Sequence, residues 1–319
     1  MPTPADVTVL VCTRNRAGML RGALRAIVDS TPPEVEVMVV DSGSDTKETR
    51  EVATESGSVY VASEKGLSIA RNAGLAASAR PIVIYTDDDC RPTAGWVDAL
   101  LTHFEDDDVS AVTGWMLDHS VSVRAPSGET GAPRAGNAKR FVAPITGIDA
   151  GHGAVMAFRR DILLRIGGFD DVMGAGQEMA GAEDLDIFVR LLRAGTSIVH
   201  EPSCVVQHAN TRVGDDYVAL HLGYGRGLGA LESKLLRIDP PLGIGVAWRL
   251  TGRAVSRIVR RKTRRLSSAH EVALLRGMVQ GLVATWRLPI IGERFVPPWQ
   301  SGGVPRLAAV SPRSLEVAP

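Results

Sequence analysis

The chain has 319 residues, of which 45% are hydrophobic and 23% charged, the composition of a folded globular protein rather than a fibrous or disordered one. Its formal net charge is zero, but residues 1–211 hold 19 Lys+Arg against 29 Asp+Glu and the remainder holds 17 against 7. The halves therefore carry about −10 and +10, which speaks against a uniformly basic nucleic-acid binder and for two surfaces with different roles. Cys12, Cys90 and Cys204 are far apart and odd in number, so neither a disulfide framework nor a zinc spacing is legible. The expectation is a reducing, cytoplasmic setting. The N-terminus lacks the basic stretch and small-residue cleavage site of a signal peptide. No apolar run approaches the roughly 18 residues of a spanning helix; the best, "GMVQGLVATW", is bounded by Arg276 and Arg287.

In chain order, "VTVLVC" predicts a buried strand, and "AGMLRGALRAIVDS" a helix with an apolar stripe at Met19, Leu20, Ala23, Leu24, Ile27 and Val28. "PPEVEVMVV" is a second strand, "DTKETREVATES" a solvated helix, "VYVA" a third strand and "GLSIARNAGLAAS" a helix. "PIVIYT" is a fourth strand, "TAGWVDALLTHFE" a helix and "VSAVTG" a fifth strand. Strands alternating with helices predict an α/β fold whose mainly parallel sheet is covered on both faces. Asp118 to Ile148 is rich in Gly, Pro, Ser and Ala and predicts a long loop. "GAVMAF", the helix "RRDILLRIG", a Gly-rich loop and the helix "EDLDIFVRLLRAG" follow, then the strands "TSIVH" and "SCVVQH". From residue 212 the pattern is helical and basic. Expected boundaries are 1–211 for the α/β domain, 212–300 for a basic helical region and 301–319 for a disordered tail.

In open α/β sheets ligands sit beyond the carboxyl ends of the strands. Three polar loops fall there: "CTRNR", "DSGSD" and "TDDDC". An isolated acidic triplet is often only a solvated turn. At the exit of an apolar strand, however, Asp87 and Asp89 can reach one divalent cation, and their hard oxygens suit Mg²⁺ or Mn²⁺. Such a cation would neutralise a diphosphate. Asp41 can accept from a base N–H or a ribose hydroxyl, or serve a helix N-terminus beside Ser44 and Asp45. Arg71 and Lys65 suit phosphate or lie on the surface. Glu183 and Asp184 open a helix, where negative charge is favourable, and a carboxylate there is also well placed as a general base. Asp186 points elsewhere and reads as structural or solvated. His208, ending an apolar strand, would complete an O/N site suited to Mn²⁺; His200 and His152 are weaker candidates. The absence of GxSxG, a P-loop and a dinucleotide glycine fingerprint argues against a serine hydrolase, a phosphate-loop NTPase and a dehydrogenase.

Taken together, "VLVCTRNR", "VVDSGSDT", "GLSIARNAG", "YTDDDCRP", "GHGAVMAFRRDILLRIGGFDD" and "GAEDLDIFVRLLRAG" resemble, in order and spacing, the family 2 glycosyltransferases of the inverting GT-A type over about Val7 to Asn210. The resemblance implies a GT-A type, Rossmann-like sheet and metal-dependent sugar transfer from a nucleotide-diphosphate sugar, UDP-linked by preference, with inversion, while the helical C-terminal appendage is read from the residues alone. It assigns Thr13 and Arg14 to the nucleotide pocket, Asp41 to the base, and Arg71, with Lys65 beside it, to the base or diphosphate. Asp87 to Asp89 match the DxD motif, with Asp89 the direct metal ligand, Asp87 near the ribose or metal waters and Asp88 at the nucleotide. Asp184 matches the catalytic base, with Glu183 and His152 near the acceptor, and His208 falls where some members bind metal. Beyond residue 212 the resemblance lapses. There the basic helices pack on the catalytic part or dock on an anionic membrane from its cytoplasmic side. The competing functions are a nucleotidyltransferase making a nucleotide sugar and a non-catalytic binding module.

Overall fold

The computed structural model describes residues 1–118, 136–209 and 214–299. The expected tail from residue 301 and most of the expected loop, residues 119–135, lie outside the described residues. Strands β1 (Val7–Thr13), β2 (Glu36–Asp41), β3 (Val59–Ala62) and β4 (Ile82–Asp87) run parallel in the order β3-β2-β1-β4. They are linked by α1 (Ala17–Ser30), α2 (Glu48–Glu55) and α3 (Leu67–Ala77). Alternation along β1 explains its double burial. Val7, Val9 and Val11 share a core with Leu20, Leu24 and Ile27 of α1, while Leu10 and Cys12 join Val83, Tyr85, Phe158 and Phe188.

The sheet continues through β8 (Val155–Arg159), β6 (Val109–Asp118), β9 (Ser197–His208) and β5 (Cys90–Pro92), with β7 (Lys139–Phe141) also on β9 and α4 (Trp96–Leu101) between β5 and β6. This half is more antiparallel than the sequence predicts. β8 runs against both β4 and β6, and β5 and β7 run against β9. The reason is direction of entry: Thr86 pairs with Val155 and Ile82 with Arg159, so the chain enters β8 from the carboxyl rim of β4 and runs down. Gly151 to Ala154 are thereby held beside Asp87. The two strands predicted in "TSIVH" and "SCVVQH" form one, β9, bent by register shifts against β6. Part of the predicted loop is ordered, as β7 and a short helical turn over Pro144–Asp149.

After α5 (Arg160–Arg165) the Gly-rich segment climbs back to the rim, where α6 (Glu183–Arg193) starts. Helices α7 (Gly214–Ile238), α8 (Pro240–Thr263) and α9 (Ala269–Thr285) and the ribbon β10 (Ile290–Ile291) and β11 (Arg294–Phe295) follow. Glycines set how closely α7 and α9 meet. A Cβ on Gly229 would lie 1.9 Å from the Met278 carbonyl, and one on Gly281 1.9 Å from that of Arg226. These helices share a core with α6 and the loop before it, through Ala230, Leu231, Leu235, Val246 and Met278 against Met173, Met179 and Val189.

A buried charge network pins that contact. Lys234 of α7, fully buried, donates to Asp170 Oδ2 at 2.6 Å and Asp186 Oδ1 at 2.7 Å. Arg190 donates to the other oxygen of Asp186 at 2.9 Å, and the Phe295 backbone N–H to Asp170 at 2.8 Å. Burial pushes the Asp186 carboxyl up, but Arg190 and Lys234 outweigh it and hold it below the usual range. Its contribution is therefore present above the unfolded carboxylate pKa and lost as pH falls through the lower folded value. Lys234→Met takes a buried countercharge from both carboxylates, leaving Asp186 its Arg190 pair and Asp170 its backbone donors, and is expected to cost about 3–5 kcal/mol, read as a lower urea midpoint at neutral pH.

Candidate active site

The carboxyl ends of β1, β2 and β4 bring the three polar loops together. Asn15 stands in the left-handed region (φ 55°), which suits asparagine, and locks the first loop to the second. Its side chain donates to Asp45 at 2.6 Å and accepts the Asp45 N–H at 2.8 Å. Arg14 donates to the Gly43 carbonyl at 3.1 Å. Asp41 is buried and accepts from the Ser44 N–H at 2.8 Å and the Tyr60 hydroxyl at 2.9 Å. Each of its oxygens keeps a second lone pair for a base or a ribose. Lys65 is exposed on the loop that follows β3.

The acidic triplet is divided among different partners. Thr13 donates to Asp88 Oδ2 at 2.6 Å, and Arg16 reaches Asp88 Oδ1 at 2.6 Å and Asp89 Oδ2 at 2.7 Å. Asp88 thus faces inward. Asp89 Oδ1 is buried without a hydrogen-bond partner, and His208 Nε2 lies 3.4 Å from it. Ligand atoms of Asp87, Asp89 and Cys90 lie within 4.8 Å of one another. Burial pushes the Cys90 thiol well up, so it is a poor ligand for a hard cation. The two carboxylates fit one. Burial also pushes the Asp87 carboxyl up to about 7 against the pull of Arg71, and a cation would supply the missing countercharge. The expected set of Asp87, Asp89 and His208 is thus brought together.

Arg71 is 2% exposed and joins this corner to the next. It pairs with Asp87 at 3.5 Å and Glu183 at 2.9 Å, and donates to the Gly153 carbonyl at 3.3 Å. Its guanidinium is engaged by protein, so it sits as a strut beneath the rim. Glu183 is buried in this pairing. Asp184 is more open, and its Oδ2 accepts the Gly153 N–H at 2.8 Å. The two neighbouring acids thereby differ, since Glu183 is spent on Arg71 while Asp184 stays more open to solvent. Ala182, just before them, is left-handed at φ 60°, a strained state for alanine, and Gly181 is backed by α7. A Cβ on Gly227 of that helix would lie 2.1 Å from the Gly181 carbonyl. His152 is exposed next to Gly153. His200 is on β9 beside Thr113 and Trp115, away from the triplet.

Sequence reasoning missed Arg16, Tyr60 and the α7 contact. Arg16 was legible only as a second arginine in "CTRNR"; the other two depend on tertiary packing.

The model of the family described as Glycosyl transferase family 2 matches residues 8–167, about half of the chain. The pre-mycofactocin glycosyltransferase of Mycobacterium tuberculosis is 29% identical over 232 residues, covering 70% of this chain and 47% of that protein. Glycosyltransferase AglE of Haloferax volcanii is 30% identical over 137 residues, 40% of this chain and 43% of AglE. The chain spans about half the length of the curated relatives it matches. Among solved structures, a Pyrobaculum calidifontis mannosyltransferase in complex with GDP-Man and Mn²⁺ superposes with a TM-score of 0.61 at 21% identity, covering 88% of this chain and 89% of that one. GalNAc-T7 with UDP, GalNAc and Mn²⁺ gives 0.51 at 16% identity over 73% and 51%. With its family match, its GT-A sheet and an acidic triplet at the carboxyl rim, the chain belongs to glycosyl transferase family 2.

Proposed function

We propose that this protein transfers a sugar from a nucleoside-diphosphate sugar, UDP-linked by preference, to an acceptor hydroxyl with inversion, aided by Mn²⁺ or Mg²⁺. The observation that carries the reading is the Arg71 strut, which pairs with Asp87 of the acidic triplet and with Glu183 while Asp184 stays more open beside it. The nucleotide sugars and Mn²⁺ held by the structural neighbours support it.

In this reading Asp41 receives the base, with Thr13, Arg14 and Lys65 around the nucleotide. Asp89 and Asp87, with His208 beside them, would hold the cation, which would supply positive charge to the leaving diphosphate. Asp184 takes the proton from the acceptor hydroxyl, whose oxygen attacks the anomeric carbon opposite the leaving group. A single displacement inverts that carbon. The Gly153 N–H, donating to Asp184, orients the carboxylate, and His152 flanks the acceptor side. Incubating the pure protein with a panel of nucleotide sugars and Mn²⁺ tests this. Nucleoside diphosphate release supports it; pyrophosphate release from NTP and sugar phosphate indicates a nucleotidyltransferase, and no turnover with any donor a binding module.

The same reading places the enzyme peripherally on an anionic membrane, the source of a lipid-borne acceptor. No helix among the described residues is long and apolar enough to cross one. On α8, Ile244, Trp248, Val255 and Val259, at helical spacing, are 62%, 82%, 45% and 55% exposed. A shallow groove beside them is lined by Trp248, Arg249, Arg253, Arg257 and Arg260. An apolar stripe with a cationic flank suits an anionic headgroup layer. Arg249 and Arg253 are neutralised in part by Asp149, and Arg257 by Glu271, so the expected charge comes from Arg260 to Arg265. Each exposed cation contributes about 1 kcal/mol at the surface. Sedimentation with anionic vesicles at low salt is expected, weakened when Arg260, Arg261, Arg264 and Arg265 become Gln. Wild-type protein left in the supernatant contradicts the placement.

A further inference from the structure

We propose that Arg16 is an internal countercation: it neutralises Asp88 and Asp89 before the divalent cation binds, competes with that cation for Asp89, and is then freed to hold the donor's diphosphate. The inference rests on the metal site of the proposed function and adds a residue to it.

One guanidinium nitrogen of Arg16 reaches Asp88 Oδ1 and the other Asp89 Oδ2. The two aspartates differ in what else holds them. Asp88 is 3% exposed and keeps the Thr13 hydroxyl on its second oxygen, so it stays anchored without Arg16. Asp89 has no comparable hydrogen bond on its second oxygen: Oδ1 is buried, has only His208 Nε2 at 3.4 Å beside it, and shares its corner with Asp87. A cation entering there takes the orphaned oxygen and competes for the electron density that Arg16 draws through Oδ2.

Arg16 is also free to move. Its side chain is 36% exposed, whereas that of Arg71, the other arginine at the triplet, is 2% exposed and fixed by Asp87, Glu183 and Gly153. Its backbone is anchored independently, since its carbonyl accepts the Leu20 N–H and Asn15 is clamped by Ser44 and Asp45. The side chain can therefore swing while the loop stays. A guanidinium released at this rim meets a ligand whose diphosphate matches its fork of donors.

The competition predicts an unusual sign. Deleting a residue that only braces metal ligands weakens metal binding; deleting a competitor strengthens it. Mn²⁺ titration of the nucleotide-free protein, followed by electron paramagnetic resonance, is expected to give about 3- to 10-fold tighter binding in Arg16→Gln, the scale of one partly exposed ion pair to a charged site. Nucleoside diphosphate binding at saturating Mn²⁺ is expected to weaken by about 10-fold in the same variant, for loss of a charge-assisted contact. Arg16→Lys keeps the charge without the fork. It is expected to retain wild-type Mn²⁺ affinity more closely than the Gln variant, and it carries the test if Gln disturbs folding. Equal or weaker Mn²⁺ binding in Arg16→Gln overturns the proposal. Mn²⁺ binding to neither protein removes the metal site itself, and this role with it.

Discussion

Asp184→Asn is expected to lower turnover by about 100-fold or more, the contribution of a positioned general base. Asparagine is nearly isosteric and its carbonyl oxygen can still accept the Gly153 N–H, although the Leu185 N–H then loses its acceptor on the other oxygen. What is lost is the capacity to take a proton. Donor affinity should therefore hold, while the low-pH limb of the turnover profile that reports the base disappears. Glu183→Gln is the informative companion. Glu183 is buried against Arg71, and glutamine keeps an acceptor for that arginine but not the negative charge, which leaves Asp87 as its remaining paired carboxylate. Its expected signature is lower stability and weaker donor binding, with the pH limb retained. A near-normal Asp184→Asn enzyme would transfer the proton-accepting role elsewhere, and a Glu183→Gln enzyme lacking the pH limb would place it on Glu183.

The second large effect is expected at Asp89. Its unpaired buried oxygen and its approach to Asp87 make it the centre of the cation site. Asp89→Ala should weaken Mn²⁺ binding by at least about 10-fold, since even residues that merely support metal ligands cost that much. Nucleotide affinity measured with Mn²⁺ should fall with it, because the diphosphate loses its countercharge. Excess chelator should abolish wild-type turnover. Full wild-type activity in chelator contradicts the metal dependence.

The parallel half of the fold was legible because each of its strands is short, apolar and bounded by a helix of clear period, so local pattern and tertiary role agree. The reversed strand β8 was not, because "GAVMAF" reads alike in either direction and its orientation depends on where the preceding segment delivers the chain. β5 escaped because Cys90 to Pro92 is too short to show alternation. In the site, Asp41, Asp87, Asp89, Asp184 and His208 were legible as polar residues at strand or helix ends, the edge of an α/β sheet beyond which ligands sit. The division of labour was hidden. Sequence puts Glu183 and Asp184 side by side, and only the fold shows Arg71 claiming the first. Arg71 reads as a phosphate or base contact or as a surface arginine, and the fold buries it against Asp87 and Glu183. The α7 contact behind Gly181 comes from a region where the family resemblance has ended, and only packing reveals it.

The central claim is that this rim displaces a nucleoside diphosphate from a sugar with inversion. Its most direct test is proton NMR of the anomeric centre during turnover of a nucleotide sugar chosen from the donor panel, with Mn²⁺ present. The account predicts nucleoside diphosphate release and, from an α-linked donor, a product whose first-formed anomer is β, with both signals lost in Asp184→Asn. A first-formed α anomer, or release of pyrophosphate in place of nucleoside diphosphate, would contradict it.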